Sequence, residues 1–312
     1  MRRWHAVLLV ATQCFGCGPL ASTPDDHPVD PWRELLVHDA VVRTHEYAMN
    51  SGQGALSFAG IAPKLVAGAP SETSATDALD WLQRWAPARV SCQWLQATPS
   101  NHCNQDCTRC DAHDVAWEVA PVRLLAIVNR VDLSDDAHAG GEARLVYGLS
   151  EGPGDDARSA PLDATFIIEF RQTGEAAQVA HPWHELGVAG AIDDAFVQKL
   201  AHLVSQFAKS EHLARVRTHV GMRAGLPQMR EFRAVGAPGT GEREWLPEAP
   251  LLARCEGCHA QEATGGNEFH LRGTPDGVAI SRFLDDPRRP SSSEIPVRAR
   301  ELATLLNASS SP

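Results

Sequence analysis

The sequence is short of lysine, tyrosine and long apolar runs, and these shortages narrow the field. Lys64, Lys199 and Lys209 are the only lysines among 312 residues, so nearly all positive charge is arginine. The 39 acidic side chains outnumber the 28 basic ones and leave a formal net charge of −11. That balance argues against a general nucleic-acid binder, because neutralising phosphates takes a basic surface. No apolar run approaches the roughly 20 residues that a membrane-spanning helix needs. The G-x-S-x-G elbow, the P-loop and the dinucleotide fingerprint are all missing. No group of residues supplies a nucleophile, a base and an oxyanion donor together, so the sequence shows no catalytic constellation. What is present, 43% hydrophobic and 21% charged residues, is a globular balance in a chain long enough for one large or two modest domains.

The N-terminus has the order of an export signal. Met1 to His5 is short and basic, Ala6 to Thr12 (AVLLVAT) is apolar, and Cys14-Phe15-Gly16-Cys17 follows. A cysteine just after the apolar run suggests a lipoprotein signal. Cys17, preceded by the small Gly16, is the better candidate for acylation than Cys14. The expectation is a protein exported to the periplasm, the outer membrane or the surface of a Gram-negative bacterium, touching membrane only through an N-terminal lipid.

Six cysteines lie beyond the signal. Four of them, Cys92, Cys103, Cys107 and Cys110, fall within SCQWLQATPSNHCNQDCTRC. In an exported protein, two local disulfides are the default reading, and four cysteines allow three pairings that sequence does not choose between. The alternative is a zinc site on Cys103, Cys107, Cys110 and His113. The segment is rich in Asn, Asp and Thr and reads as a stapled loop between two elements.

Cys255-Glu256-Gly257-Cys258-His259 is the C-x-x-C-H pattern of c-type haem attachment. Two thiols add to the two porphyrin vinyl groups, and the next residue offers an imidazole to the iron. Chance would produce the pattern about 0.01 times in a chain of this composition. A disulfide, a redox pair or a zinc site at the same cysteines is the competing reading. Small cytochromes often take a downstream methionine as distal ligand. Here no methionine follows Met229 and no lysine follows Lys209, so a haem held by His259 would be bis-histidine, with His270 as the distal ligand, or five-coordinate.

Along the body, Val29 to Val42 reads as a helix with proline in its first turn. Ser74 to Ala86 reads as an amphipathic helix ending before Pro87. Val122–Val128, Ala143–Leu149 and Thr165–Phe170 read as strands, the first of them central and buried. Their connections of about ten residues point to an antiparallel or mixed sheet rather than βαβ units. Ile192, Ala195, Phe196, Leu200, Leu203 and Phe207 mark a helix covering one sheet face, and Ala299 to Leu306 a last short helix. The fold class expected is α+β. Residues 1–17 are the signal and 30–235 the α+β domain, with its cysteine-rich insert at 92–110. Residues 236–250 form a linker, and 251–312 a short helical or irregular segment carrying C-x-x-C-H.

Three other clusters compete with blander explanations. His181-Pro182-Trp183-His184-Glu185 is not in H-E-x-x-H order, and Pro182 would disturb a helix, so a loop that packs Trp183 is favoured over a zinc hydrolase. Arg130 with Asp132, and Glu142 with Arg144, read as structural ion pairs before ligand contacts.

Taken in order, several segments resemble a largely uncharacterised family of exported proteins from soil-dwelling Gram-negative bacteria. They are Pro121 to Leu133, Gly141 to Gly148, Phe166 to Phe170, Trp183 to Gly187, Met229 to Phe232, Cys255 to His259, Phe269 to Leu271 and Ser281 to Leu284. Such proteins are described as lipoproteins or as cytochrome-c-like. The resemblance therefore implies export and the C-x-x-C-H segment, and it supplies no known activity. The insert at Cys92–Cys110 and a shorter stretch between Phe232 and Cys255 are departures from the family pattern. The sequence thus leads to an envelope protein carrying one haem c, with an unidentified redox partner. The alternative is a cofactor-free binding or structural protein stapled by disulfides.

Overall fold

The computed structural model describes residues 28–38, 42, 45, 49, 54–66, 94–96, 102–104, 110–111, 116–134, 139–150, 161–188, 190–220, 230–234, 243–245, 271–274, 277–280, 284–285, 288 and 293–309. At its centre is a seven-stranded antiparallel sheet. Its strands, in chain order, are β1 (Leu36–His38), β4 (Val122–Arg130), β5 (Glu142–Ser150), β6 (Pro161–Arg171), β7 (Leu213–Val220), β8 (Arg230–Ala234) and β9 (Arg243–Trp245), and they lie side by side in that order. Two smaller ladders stand apart from it. One pairs β2 (His102–Cys103) with β3 (Cys110–Asp111), and the other pairs β10 (Leu271–Thr274) with β11 (Gly277–Ile280). The described helices are α1 (Pro31–Glu34), α2 (Phe58–Val66), α3 (Ala176–Gly187), α4 (Asp194–Phe207) and α5 (Glu294–Ser309). The α+β class holds, and the sheet is antiparallel.

β4 shows why the sheet forms here. Its apolar run is buried from Leu124 to Asn129, as a strand covered on both faces must be. It pairs with β5 through Ile127↔Leu145 and Val128↔Arg144, and a register shift between Leu124 and Ala126 bends it. β5 pairs with β6 through Leu145↔Ile168 and Tyr147↔Phe166. Because side chains alternate along a strand, Ile127, Leu145 and Ile168 share one face, and Val128, Ala126 and Val146 supply the other.

The first face packs against helices. Trp183 and Leu186 of α3, and Phe196, Leu200, Leu203, Val204 and Phe207 of α4, join Phe58 and Ile61 of α2 in one apolar core. α4 is the expected amphipathic stripe. Its N-cap is Asp193, whose carboxylate accepts the Phe196 amide at 3.0 Å. The second face is covered by the end of the chain, where Leu271, Leu284 and Ile295 pack on Leu36, Leu125, Ala126, Val128 and Val146. A third, smaller core joins Leu302 and Leu306 of α5 to Leu35, Val131 and Ala180.

Two local expectations change. The helix expected over Val29 to Val42 runs only from Pro31 to Glu34. Leu36 to His38 then become β1, paired through Leu36↔Val128 and Val37↔Ile127, because these apolar side chains complete the sheet. The segment around Pro182 is helix rather than loop. The helix expected over Ser74 to Ala86 lies outside the described residues, whereas Phe58–Val66, ambiguous in sequence, is helical.

Candidate functional site

Where β4 ends, the chain passes through a 3-10 turn at Val131–Leu133 that brings Asp132 back against Arg130. The Arg130 Nε donates to Asp132 Oδ1 at 3.0 Å, and one terminal nitrogen donates to Oδ2 at 2.8 Å. α5 adds a second pair at this spot. Arg298 donates to Glu294 at 2.7 Å and lies 3.8 Å from Asp132, while Glu294 lies 3.8 Å from Arg130. Burial lowers the pKa of Arg298, and the neighbouring Arg130 charge adds to this, against the pull of Asp132 and Glu294. One strand over, Arg144 pairs with Glu142 at 2.7 Å and with the buried Glu169 at 3.3 Å. Burial works against the Arg144 charge, yet Glu169, Glu142 and Asp132 together hold its pKa above the usual arginine value. Both sequence-level pairs are therefore internal ion pairs that fasten β4, β5, β6 and α5 to one another.

Asn129, one residue earlier and fully buried, is the centre of a polar knot. Its amide donates to the Glu34 carbonyl at 3.2 Å, and its carbonyl oxygen accepts the Val131 amide and the Gln172 side chain, each at 3.1 Å. Gln172 also donates to the Glu142 carbonyl at 2.9 Å and accepts the Trp183 indole N–H at 2.8 Å. The knot ties α1, β4, β5 and α3 with each polar atom in use, as buried polar groups require. Gly141, in the turn before β5, has φ +71°, and a Cβ there would run into the Arg130 carbonyl. The glycine lets β5 start hard against the end of β4.

His181, His184 and Glu185 do not converge. His181 and Glu185 are exposed on α3. His184 turns inward, and its Nδ1 lies 3.0 Å from Oε2 of Glu34. Glu34 is fully buried, and its other oxygen accepts the Asp30 amide at 2.7 Å. Burial raises the Glu34 carboxyl pKa, outweighing the opposite pull of the Asp30 amide and of His184. Gly187 makes room for this carboxylate, since a Cβ on it would overlap Glu34 Oε1. Trp183 between the histidines is core, stacked on Phe207 with ring centres 6.1 Å apart. Among the described residues no group of His, Cys, Asp and Glu could hold a metal ion. A cleft of about 80 Å³ between α3 and α4, lined in part by Glu185, Lys199 and His202, is far smaller than organic ligands occupy.

Of the cysteines, Cys103 and Cys110 are placed by their backbones, opposite each other in the β2–β3 ladder. Cys17, Cys92, Cys107, Cys255 and Cys258, with His259 and His270, lie outside the described residues. The chain leaves the sheet at Trp245 and is next described at Leu271, directly after His270, where Leu271 is buried in the second core. Sequence reading missed Glu34, Asn129 and Gln172. The available signal was a lone amide at the end of an apolar strand, which needs an internal partner when buried. No protein-family model, curated protein or solved structure matches this chain. No helix among the described residues is long and apolar enough to cross a membrane.

Proposed function

We propose that this is an exported envelope protein that carries one c-type haem and serves in electron transfer or redox sensing. The observation that carries the reading is Cys255-Glu256-Gly257-Cys258-His259, downstream of an N-terminus ordered like an export signal. The donor set fits the group by its chemistry. Cys255 and Cys258 would form the thioethers, His259 would be the proximal ligand and His270 the distal one. A bound haem supplies a one-electron couple whose potential depends on axial ligands, burial and hydrogen bonding.

What the described residues contribute is support. The strand before the motif belongs to the sheet, and Leu271, which follows His270, is seated in a core shared with β1, β4 and β5. The charged residues of the sheet domain singled out in the sequence are spent on one another, which fits a scaffold more than an active centre.

The test is expression of the full chain with export and haem-attachment machinery, followed by a pyridine haemochrome spectrum and intact mass. The expected result is one covalent haem per chain, lost in the Cys255→Ser/Cys258→Ser variant. A colourless, correctly exported protein whose six body cysteines all become alkylatable after reduction would leave the cofactor-free, disulfide-stapled alternative.

A further inference from the structure

We propose that Cys103 and Cys110 are joined by a disulfide, which selects one of the three pairings open to the four cysteines of the insert. The inference rests on backbone register. β2 and β3 run antiparallel with Cys103 directly opposite Cys110 and His102 directly opposite Asp111. Residues directly opposite in such a ladder have Cα atoms about 4.5–5.5 Å apart. A disulfide asks for Cα atoms about 4.4–6.8 Å apart, so register alone puts this pair inside the range.

Described residues on either side of the hairpin are fastened as well. Trp94 is buried, its indole N–H donates to the Ala116 carbonyl at 2.7 Å, and its ring lies 5.7 Å from that of Trp117. Further up, the Gln96 side chain donates to the Asn104 carbonyl at 3.2 Å, beside the end of β2. Trp94, Leu95 and Trp117 thus belong to the main core and flank the hairpin in sequence. Closing it between Cys103 and Cys110 shortens the freely moving part of the insert in the unfolded chain, where a crosslink acts most.

The chemistry is exchange with a disulfide donor, RSSR, of the kind that oxidises exported proteins. The Cys103 thiolate attacks RSSR and releases one RS⁻. The Cys110 thiolate then attacks the mixed disulfide at the Cys103 sulfur and releases the second RS⁻. The two cysteine thiols lose two electrons and two protons, and RSSR becomes two RSH.

The experiment is peptide mapping of the full-length exported protein. Free thiols are blocked under denaturing conditions, the chain is digested without reduction, and fragmentation distinguishes Cys103 from Cys107. The expected product is a Cys103–Cys110 linked peptide that disappears on reduction, persists in Cys107→Ser and is absent from Cys110→Ser. Three results overturn the proposal. These are linkage of Cys110 to Cys92 or Cys107, alkylation of both Cys103 and Cys110 in the exported protein, and stoichiometric zinc whose removal frees these thiols. Haem attachment at Cys255 and Cys258 is read in other peptides, so the two proposals succeed or fail separately.

Discussion

Glu34 is a carboxylate with no exposed surface, held between the Asp30 amide and His184 and roofed by Gly187. Burial raises its pKa above the ordinary 4.5. The folded state therefore binds more protons than the unfolded state between 4.5 and the raised value, and stability falls as pH rises across that window. The contribution is complete below the unfolded value and is lost as the folded carboxyl ionises. Glu34→Gln keeps the shape, stays neutral and can both accept from Asp30 and donate to His184. Urea unfolding of the two proteins from pH 5 to pH 8 should show the variant gaining on the wild type as pH rises, then levelling. A difference that stays flat across this range would mean that burial does not hold this carboxyl above its ordinary value.

At the scale of elements, α3 shows where reading the sequence ran out. Pro182 removes an amide from the middle of a helix and leaves the Gln178 carbonyl without its intrahelical donor, so the local rule points to a loop. Burial decides otherwise, because Ala180, Trp183 and Leu186 reach the core together only in helical geometry. Pro182→Ala restores the amide, worth about 3 kcal/mol on helix propensity, and forfeits about 1 kcal/mol of unfolded-state restriction as well as some ring packing. The expected net is a stabilisation of about 1 kcal/mol, read as a higher urea midpoint at unchanged slope. A fall in midpoint would show that the ring's packing outweighs the missing hydrogen bond. The same contest explains what else was legible. β4, β5 and β6 announce themselves as apolar runs, and α4 as a stripe. β1 is three residues long, and β7 and β8 interleave arginine with apolar residues, so neither carries a run to read. At the candidate site, the Arg130–Asp132 and Glu142–Arg144 pairs were legible because each partner is two residues away. Glu34 and His184, 150 positions apart, were not.

For the molecule as a whole, the end of the chain does structural work on the sheet. Leu271, Leu284 and Ile295 close the second sheet face, and Leu302 and Leu306 close the corner between β4 and α3. Burying each such side chain contributes about 1.5–3 kcal/mol, so together they rival the 5–15 kcal/mol that usually separates a folded domain from its unfolded state. Two charges of the β4 turn also have partners on α5, through Glu294 and Arg298. A fragment ending at Pro250 loses all of these while keeping every strand of the sheet. It should fail to unfold cooperatively in urea and should bind a hydrophobic dye that the full chain excludes, because Leu36, Val128 and Val146 are laid bare. If the fragment unfolds with the full chain's midpoint, the elements after Pro250 add nothing to the stability of the sheet. If it collapses, the elements from Leu271 onward are part of the scaffold and hold the domain folded through the contacts of the second and third cores.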